Sequence, residues 1–225
     1  MDYQQILEEI SHHVRPMFGK GRVADYIPAL AGVPGTKFGM ALHTLDGGFF
    51  HVGDAEERFS IQSMSKVFAL NLAISQIGDD LWKRVGREPS GNAFNSLVQL
   101  EHENGIPRNP MINAGALVVS DVLLSRFGDA RQTLLDYMRF LSASQDVVFD
   151  TGVAQSELEH GYRNLALASF LKSHGNLENE PEAVLDLYCH QCALAMSCDE
   201  LARAAYHLAN GGVSAEPRET ILTLS

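Results

Sequence analysis

Ser63 and Lys66 stand three residues apart at the head of an apolar run that includes Val67, Phe68, Leu70, Leu72, Ala73 and Ile74. On a helix that spacing puts both side chains on one face, within reach of each other. A serine hydroxyl becomes a nucleophile when a neighbour takes its proton, and a lysine takes it once burial or nearby positive charge has lowered its pKa. The chemistry such a pair offers is acyl transfer. Spacing alone leaves a second reading open, in which Ser63 caps a helix start and Lys66 is solvated. The same pattern recurs at Ser169 and Lys172, shortly before Gly175. That lysine reads as structural, a cation in a last helical turn where it complements the dipole.

The elements that must position the pair are legible in the periodicity. Ile6, Ile10, Val14 and Met17 mark an amphipathic helix that ends before Gly19 and Gly21. Val23 to Leu30 reads as a loop by its proline and turn residues. Two short strands, Phe38 to Thr44 and Phe49 to Val52, flank Asp46-Gly47 as a β-hairpin. After the Ser63 helix the strand signals nearly vanish. Pro107-Arg108-Asn109-Pro110 precedes a helix that begins near Asn113, with Ala114, Leu117, Val118, Asp121 and Leu124 along one surface. Leu134, Leu135, Met138 and Leu141 mark the next. Ser156-Glu157-Leu158-Glu159 and Ser197-Cys198-Asp199-Glu200 have the form of capping boxes that open further helices, and Asn210-Gly211-Gly212 closes the last. The expected architecture is α+β and lopsided toward α. Residues 1–60 supply a helix and hairpin, and 61–225 a mostly helical domain with the Ser-x-x-Lys helix.

With 225 residues, 45% of them hydrophobic, the chain buries a substantial core. The 17 basic and 28 acidic residues give a net charge of −11, which disfavours nucleic acid and anionic membrane as partners and favours a small molecule. The N-terminus lacks the pattern of a secretory leader and no window reads as a membrane span, so the expected location is cytoplasmic. Cys189, Cys192 and Cys198 are an odd set of clustered thiols, read as reduced packing residues. Cys189-His190-Gln191-Cys192 lacks the second pair that a zinc site needs, and no His-Glu-x-x-His occurs, so no metal is expected.

Taken in order, several segments closely resemble the bacterial-type glutaminases. They are Phe59-Ser60-Ile61-Gln62-Ser63-Met64-Ser65-Lys66, Pro89-Ser90-Gly91, Phe94-Asn95-Ser96, and Gly105-Ile106-Pro107-Arg108-Asn109-Pro110-Met111-Ile112-Asn113-Ala114-Gly115-Ala116. The likeness runs from Val23 to about Gly211. It implies a β-lactamase-like fold and hydrolysis of L-glutamine to glutamate and ammonia, without a cofactor. It further implies Ser63 as nucleophile, Lys66 as its base and Tyr188 as a tyrosine sharing protons with both. Asn113, Glu157 and Asn164 become substrate-binding positions beside Ser63 and Tyr188. Each of the first two has a bland alternative: Asn113 as an N-cap, Glu157 as a first-turn acid favoured by the helix dipole. Glu157 and Asn164, seven residues apart, would lie two turns apart on one helical face. The Tyr26-Ile27-Pro28 loop resembles the family's lid, and family members commonly form homo-oligomers.

The wider fold group pairs Ser-x-x-Lys with Ser-Asp-Asn and Lys-Thr-Gly. Here Ser120-Asp121 is followed by Val122, and Gly35-Thr36-Lys37 has the wrong order and place. The family continues past Thr223-Leu224-Ser225 into further strands, so the expectation is a sheet whose C-terminal strands are missing. Two alternatives to a working glutaminase follow: an incomplete remnant or binding module, and, from the fold group at large, a penicillin-recognising serine hydrolase.

Overall fold

The computed structural model describes residues 1–221; the sequence's stop at Thr223-Leu224-Ser225 lies outside them. Along the chain run α1 (Tyr3–Val14), α2 (Pro28–Ala31), β1 (Gly39–His43), β2 (Phe49–Gly53), β3 (Phe59–Ser60), α3 (Ser65–Ile77), α4 (Leu97–His102), α5 (Asn113–Arg126), α6 (Ala130–Ser142), β4 (Val148–Phe149), α7 (Thr151–His160), α8 (Tyr162–Ser173), α9 (Pro181–Cys192), β5 (Leu194–Met196) and α10 (Cys198–Ala209). They form two compact units. One holds Met1–Ser60, Asp136–Val148 and Ala195 onward; the other holds Ile61–Leu135 and Phe149–Leu194.

In the first unit the hairpin forms as its alternation and Asp46-Gly47 turn predict. β1 and β2 pair antiparallel, Leu42 opposite Phe50 and His43 opposite Phe49. A lone two-stranded hairpin is marginal in water, and here helices pack on both strands: α1 on β2 and α10 on β1. The Tyr3 ring lies 5.6 Å from that of Phe50, and the Tyr206 ring 4.6 Å from that of His43. The α1 stripe differs from the sequence reading. Leu7 and Ser11 are buried, whereas Ile6 and Ile10 are exposed, because the face through Tyr3, Leu7 and Ser11 is the one turned to β2. The residues taken for a loop before Leu30 include a proline-initiated single turn, α2, with Pro28 at its start. The Ser197–Glu200 capping box forms as expected. Its Glu200 carboxylate also accepts Arg58 Nη2 at 2.8 Å and Ser144 Oγ at 2.7 Å.

The second unit is a helical block with α5 at its middle, packed by α3, α8 and α9. Every residue of α5 from Ala114 to Leu123 is buried, so the helix is enclosed on all sides rather than along one stripe. Its closest approach is at Gly115, where a Cβ would sit 2.0 Å from the Asn109 carbonyl oxygen. A side chain there would push α5 off the Asn109-Pro110 turn that seats its first residues.

Enclosure makes Asp121 a demand on the fold. Its fully buried carboxylate accepts Arg84 Nη2 at 2.6 Å, the backbone N–H groups of Glu178 and Asn179, and Asn179 Nδ2. Removing one partner of such a pair strands the other charge and several donors, at a cost of about 3–5 kcal/mol. Asp121→Ala should therefore lower the urea midpoint by a matching amount. A loss below about 1 kcal/mol would show that water reaches these donors.

Candidate active site

The site is built within the second unit, at the entry to α3. Gln62, Ser63 and Met64 form a single 3-10 turn, and α3 begins at Ser65 with Met64 as its N-cap residue. Ser63 therefore does not cap the helix. Gln62 immediately before it has φ +49°, a left-handed conformation costly for a non-glycine residue and typical of functional turns. The turn leaves Ser63 exposed and points the chain so that Lys66, one turn on, is only 3% exposed. A hydroxyl in solvent and an amine in the interior is the division that serine–lysine acyl transfer requires.

Lys66 Nζ donates to the Met111 carbonyl at 3.0 Å and to Asn113 Oδ1 at 2.8 Å. Both acceptors are neutral, and burial lowers the Lys66 pKa from 10.5 to about 8, with the Cys192 thiol opposing the shift only in part. The rings of Phe94 and Tyr188 flank the amine, 5.7 and 5.8 Å from Nζ to centroid. Tyr188, on α9, is buried in the helical core and shares a hydrogen bond with Ser63 and another with Cys192. Burial raises its pKa well above 10, with the Cys192 neighbour adding to the rise. At neutral pH it is a phenol, a donor rather than a base.

Asn113 is the first residue of α5, and the N-cap is Ile112. The expected alternative of an Asn113 cap is thus corrected. No side chain among the described residues caps α5; Asn109 instead fixes the turn before it, its Oδ1 taking the N–H groups of Met111 and Ile112 at 2.9 and 3.1 Å. Asn113 is released for other work: Oδ1 faces Lys66, and Nδ2 donates to Asn164 Oδ1 at 3.0 Å. Asn109 escaped the sequence reading although it stands before a proline, where turn-forming side chains concentrate.

Glu157 and Asn164 are not on one helix. α7 starts at Thr151 with Asp150 as N-cap, its carboxylate accepting Val153 N–H at 3.0 Å. The Ser156 capping box therefore does not open a helix, and Glu157 is in the helix's second half. The first-turn reading of Glu157 falls with it. α7 ends at Gly161, where a Cβ would meet the Glu157 carbonyl at 2.7 Å, and Asn164 lies on α8 beyond the break. Glu157 is buried, 7% exposed, and its charge raises the pKa of Tyr188, Cys189 and Cys192, which places it in their field.

The structure thus brings Ser63 to Tyr188, and Lys66 to Asn113, which in turn donates to Asn164, with Glu157 acting on the same buried corner. Cys192, read from sequence as packing, touches Tyr188 and Ser65; its place four residues after Tyr188 was the available signal. Tyr26 is exposed and lies in the other unit. The second Ser-x-x-Lys is structural: Lys172 Nζ donates to the carbonyls of Glu178 and Asn179, both at 3.0 Å, while Ser169 is exposed. All three cysteines are free thiols, and no helix among the described residues is long and apolar enough to cross a membrane.

The glutaminase family model matches residues 21–225. A glutaminase of Paraburkholderia phytofirmans is 56% identical over all 225 residues, which cover 74% of that protein, and one of Ralstonia nicotianae is 58% identical with the same coverage. Among solved structures, a probable glutaminase of Bacillus subtilis superposes with a TM-score of 0.86 at 31% identity, covering 98% of this chain and 68% of that one. Mglu in its glutamate form gives 0.90 at 32%, covering 99% of this chain and 52% of that one. Fold and relatives define an amide-hydrolysing enzyme of mixed helix-and-strand architecture. The chain belongs to the glutaminase family.

Proposed function

We propose that this chain hydrolyses the side-chain amide of L-glutamine through an acyl-enzyme on Ser63. The observation that carries the reading is a buried lysine with a pKa of about 8, one helical turn from an exposed serine that is hydrogen-bonded to a tyrosine. At pH 7 about one Lys66 in ten is neutral and competent as a base. As Ser63 Oγ bonds to the amide carbon, its proton passes to Lys66, and the backbone N–H of Ser63 steadies the developing oxyanion. The C–N bond then breaks as nitrogen takes a proton through Lys66 and the Tyr188 phenol, leaving as ammonia. Water attacks the ester, its proton returns by the same groups, and glutamate departs as Ser63 is reprotonated.

The amino-acid end of the substrate requires an anion for its ammonium and donors for its carboxylate. Glu157 supplies the first, and Asn113 and Asn164 the amides. Asn113 is thereby both a substrate contact and the acceptor that holds Lys66. We read the location as cytoplasmic, in keeping with three free thiols, and the assembly as a homo-oligomer by family likeness, which gel filtration with light scattering would test. The catalytic test is acid quench during turnover, followed by peptide mass mapping. A glutamyl adduct on the Ser63 peptide, with glutamate and ammonia released one to one, is the expected result; an adduct elsewhere would remove Ser63 from the role.

A further inference from the structure

Phe94 is a large apolar side chain left 56% exposed, yet its ring centroid is 5.7 Å from the nitrogen of a lysine that is 3% exposed. The segment that carries it is tied on both sides. The Phe94 carbonyl accepts the Asn113 N–H at 2.8 Å, and the next carbonyl, of Asn95, accepts Arg163 Nε at 3.0 Å. One face of the ring is thus held over the amine by the same α5 start that supplies its hydrogen-bond acceptors, while the remainder meets water. On the inner side the amine meets Tyr188, which is fixed in the core. Phe94 is the exposed one of the two flanking rings and lies outside the helical core to which Tyr188 belongs.

We propose that Phe94 is a positioning residue that closes the water path to Lys66 Nζ and so keeps the lysine available as a neutral base. The inference rests on the reading of Lys66 as the base for Ser63. Two effects of the ring oppose each other. Its negative face attracts an ammonium and favours the charged form; its bulk excludes water and disfavours that form. At 5.7 Å from a partly exposed ring, the attraction amounts to a fraction of a pH unit, whereas the burial to which this ring contributes one side lowers the lysine from 10.5 to about 8. Exclusion of water wins, and removing the ring raises the titration midpoint.

The test is a titration of Lys66 in the full chain labelled with 13Cε-lysine, the Lys66 resonance being assigned by its absence in Lys66→Met. In Phe94→Ala the midpoint should rise by about one pH unit, and the acid limb of kcat/KM should move with it, a loss of about tenfold at pH 7. Phe94→Leu, which keeps apolar cover without the aromatic face, should leave the midpoint near the wild-type value. An unmoved or lowered midpoint in Phe94→Ala overturns the proposal, as does a full rise in Phe94→Leu. A midpoint that rises while the rate limb stays fixed supports the seal and instead removes Lys66 from the base role. Thermal melting of both variants reads the fold independently.

Discussion

Replacing Ser63 with alanine is expected to reduce glutamine-dependent ammonia release by at least about 10⁴-fold, because no other group at this position can carry the acyl intermediate. The fold should be untouched. Ser63 is exposed and outside the helix it precedes, and loss of an exposed hydroxyl changes stability by only about 0.5 kcal/mol or less. Tyr188 keeps its contact with Cys192, so the phenol is not stranded. Glutamine binding should persist as well, since Asn113, Glu157 and Asn164 are unchanged, and calorimetry on the variant reads it directly. The expected pattern is bound glutamine without turnover. Turnover within about tenfold of wild type would exclude the covalent route, since an enzyme that merely positioned water would tolerate this substitution.

Lys66→Met is the second large effect and carries two signs. Turnover should fall by about 10³-fold or more, because general-base assistance and proton delivery to the leaving nitrogen are lost together. Stability should rise. The folded-state pKa of about 8 lies below the ordinary 10.5 of an unfolded chain, so between those values the unfolded state binds more protons and wild-type stability climbs with pH. Below pH 8 the charged lysine holds its full cost of about 3 kcal/mol. Methionine removes that cost but leaves the Met111 carbonyl and Asn113 Oδ1 without their donor, at about 1 kcal/mol each, for a net gain of about 1 kcal/mol at pH 7. The gain should vanish at about pH 9 and turn into a loss above it, because the folded-state lysine has then shed most of its charge while the two stranded acceptors remain. A methionine variant clearly less stable than wild type at pH 7 would mean that Lys66 is paired with an anion rather than merely buried.

The wild-type rate profile follows from the same group. With Lys66 required neutral, kcat/KM should rise tenfold per pH unit on the acid side and level off near pH 8. Tyr188 titrates well above 10 and sets no limb in the neutral range.

Much of this arrangement was legible along the chain, and the parts that were not share a cause. The hairpin, the start of α5 at Asn113, the Ser197 capping box and the structural fate of Lys172 all follow from spacing, turn residues and caps that act within a few positions. The errors fall where two signals match the letters equally well and either a packing partner or a nearby residue decides between them. Ile6 and Ile10 match the helical period as well as Leu7, and only contact with β2 selects the face. Asn113 is a good cap by type, but the turn set by Asn109 Oδ1 on the Met111 and Ile112 N–H groups makes Ile112 the N-cap residue and starts the helix at Asn113 itself. Ser156-x-x-Glu159 has the letters of a helix start, but Asp150 begins the helix earlier and Gly161 separates Glu157 from Asn164.

The sequence by itself determined the chemical parts: a serine and a lysine one turn apart, an asparagine at a helix start, a carboxylate, a second amide, a tyrosine, and the family to which their order belongs. Tertiary structure alone decided their states. Burial in the packed helices lowers the Lys66 pKa to about 8, and Tyr188 stays a phenol because the helical core encloses it. Spacing encodes which side chains can meet, since helical geometry is local; protonation depends on solvent exclusion, which arises only when separate helices pack.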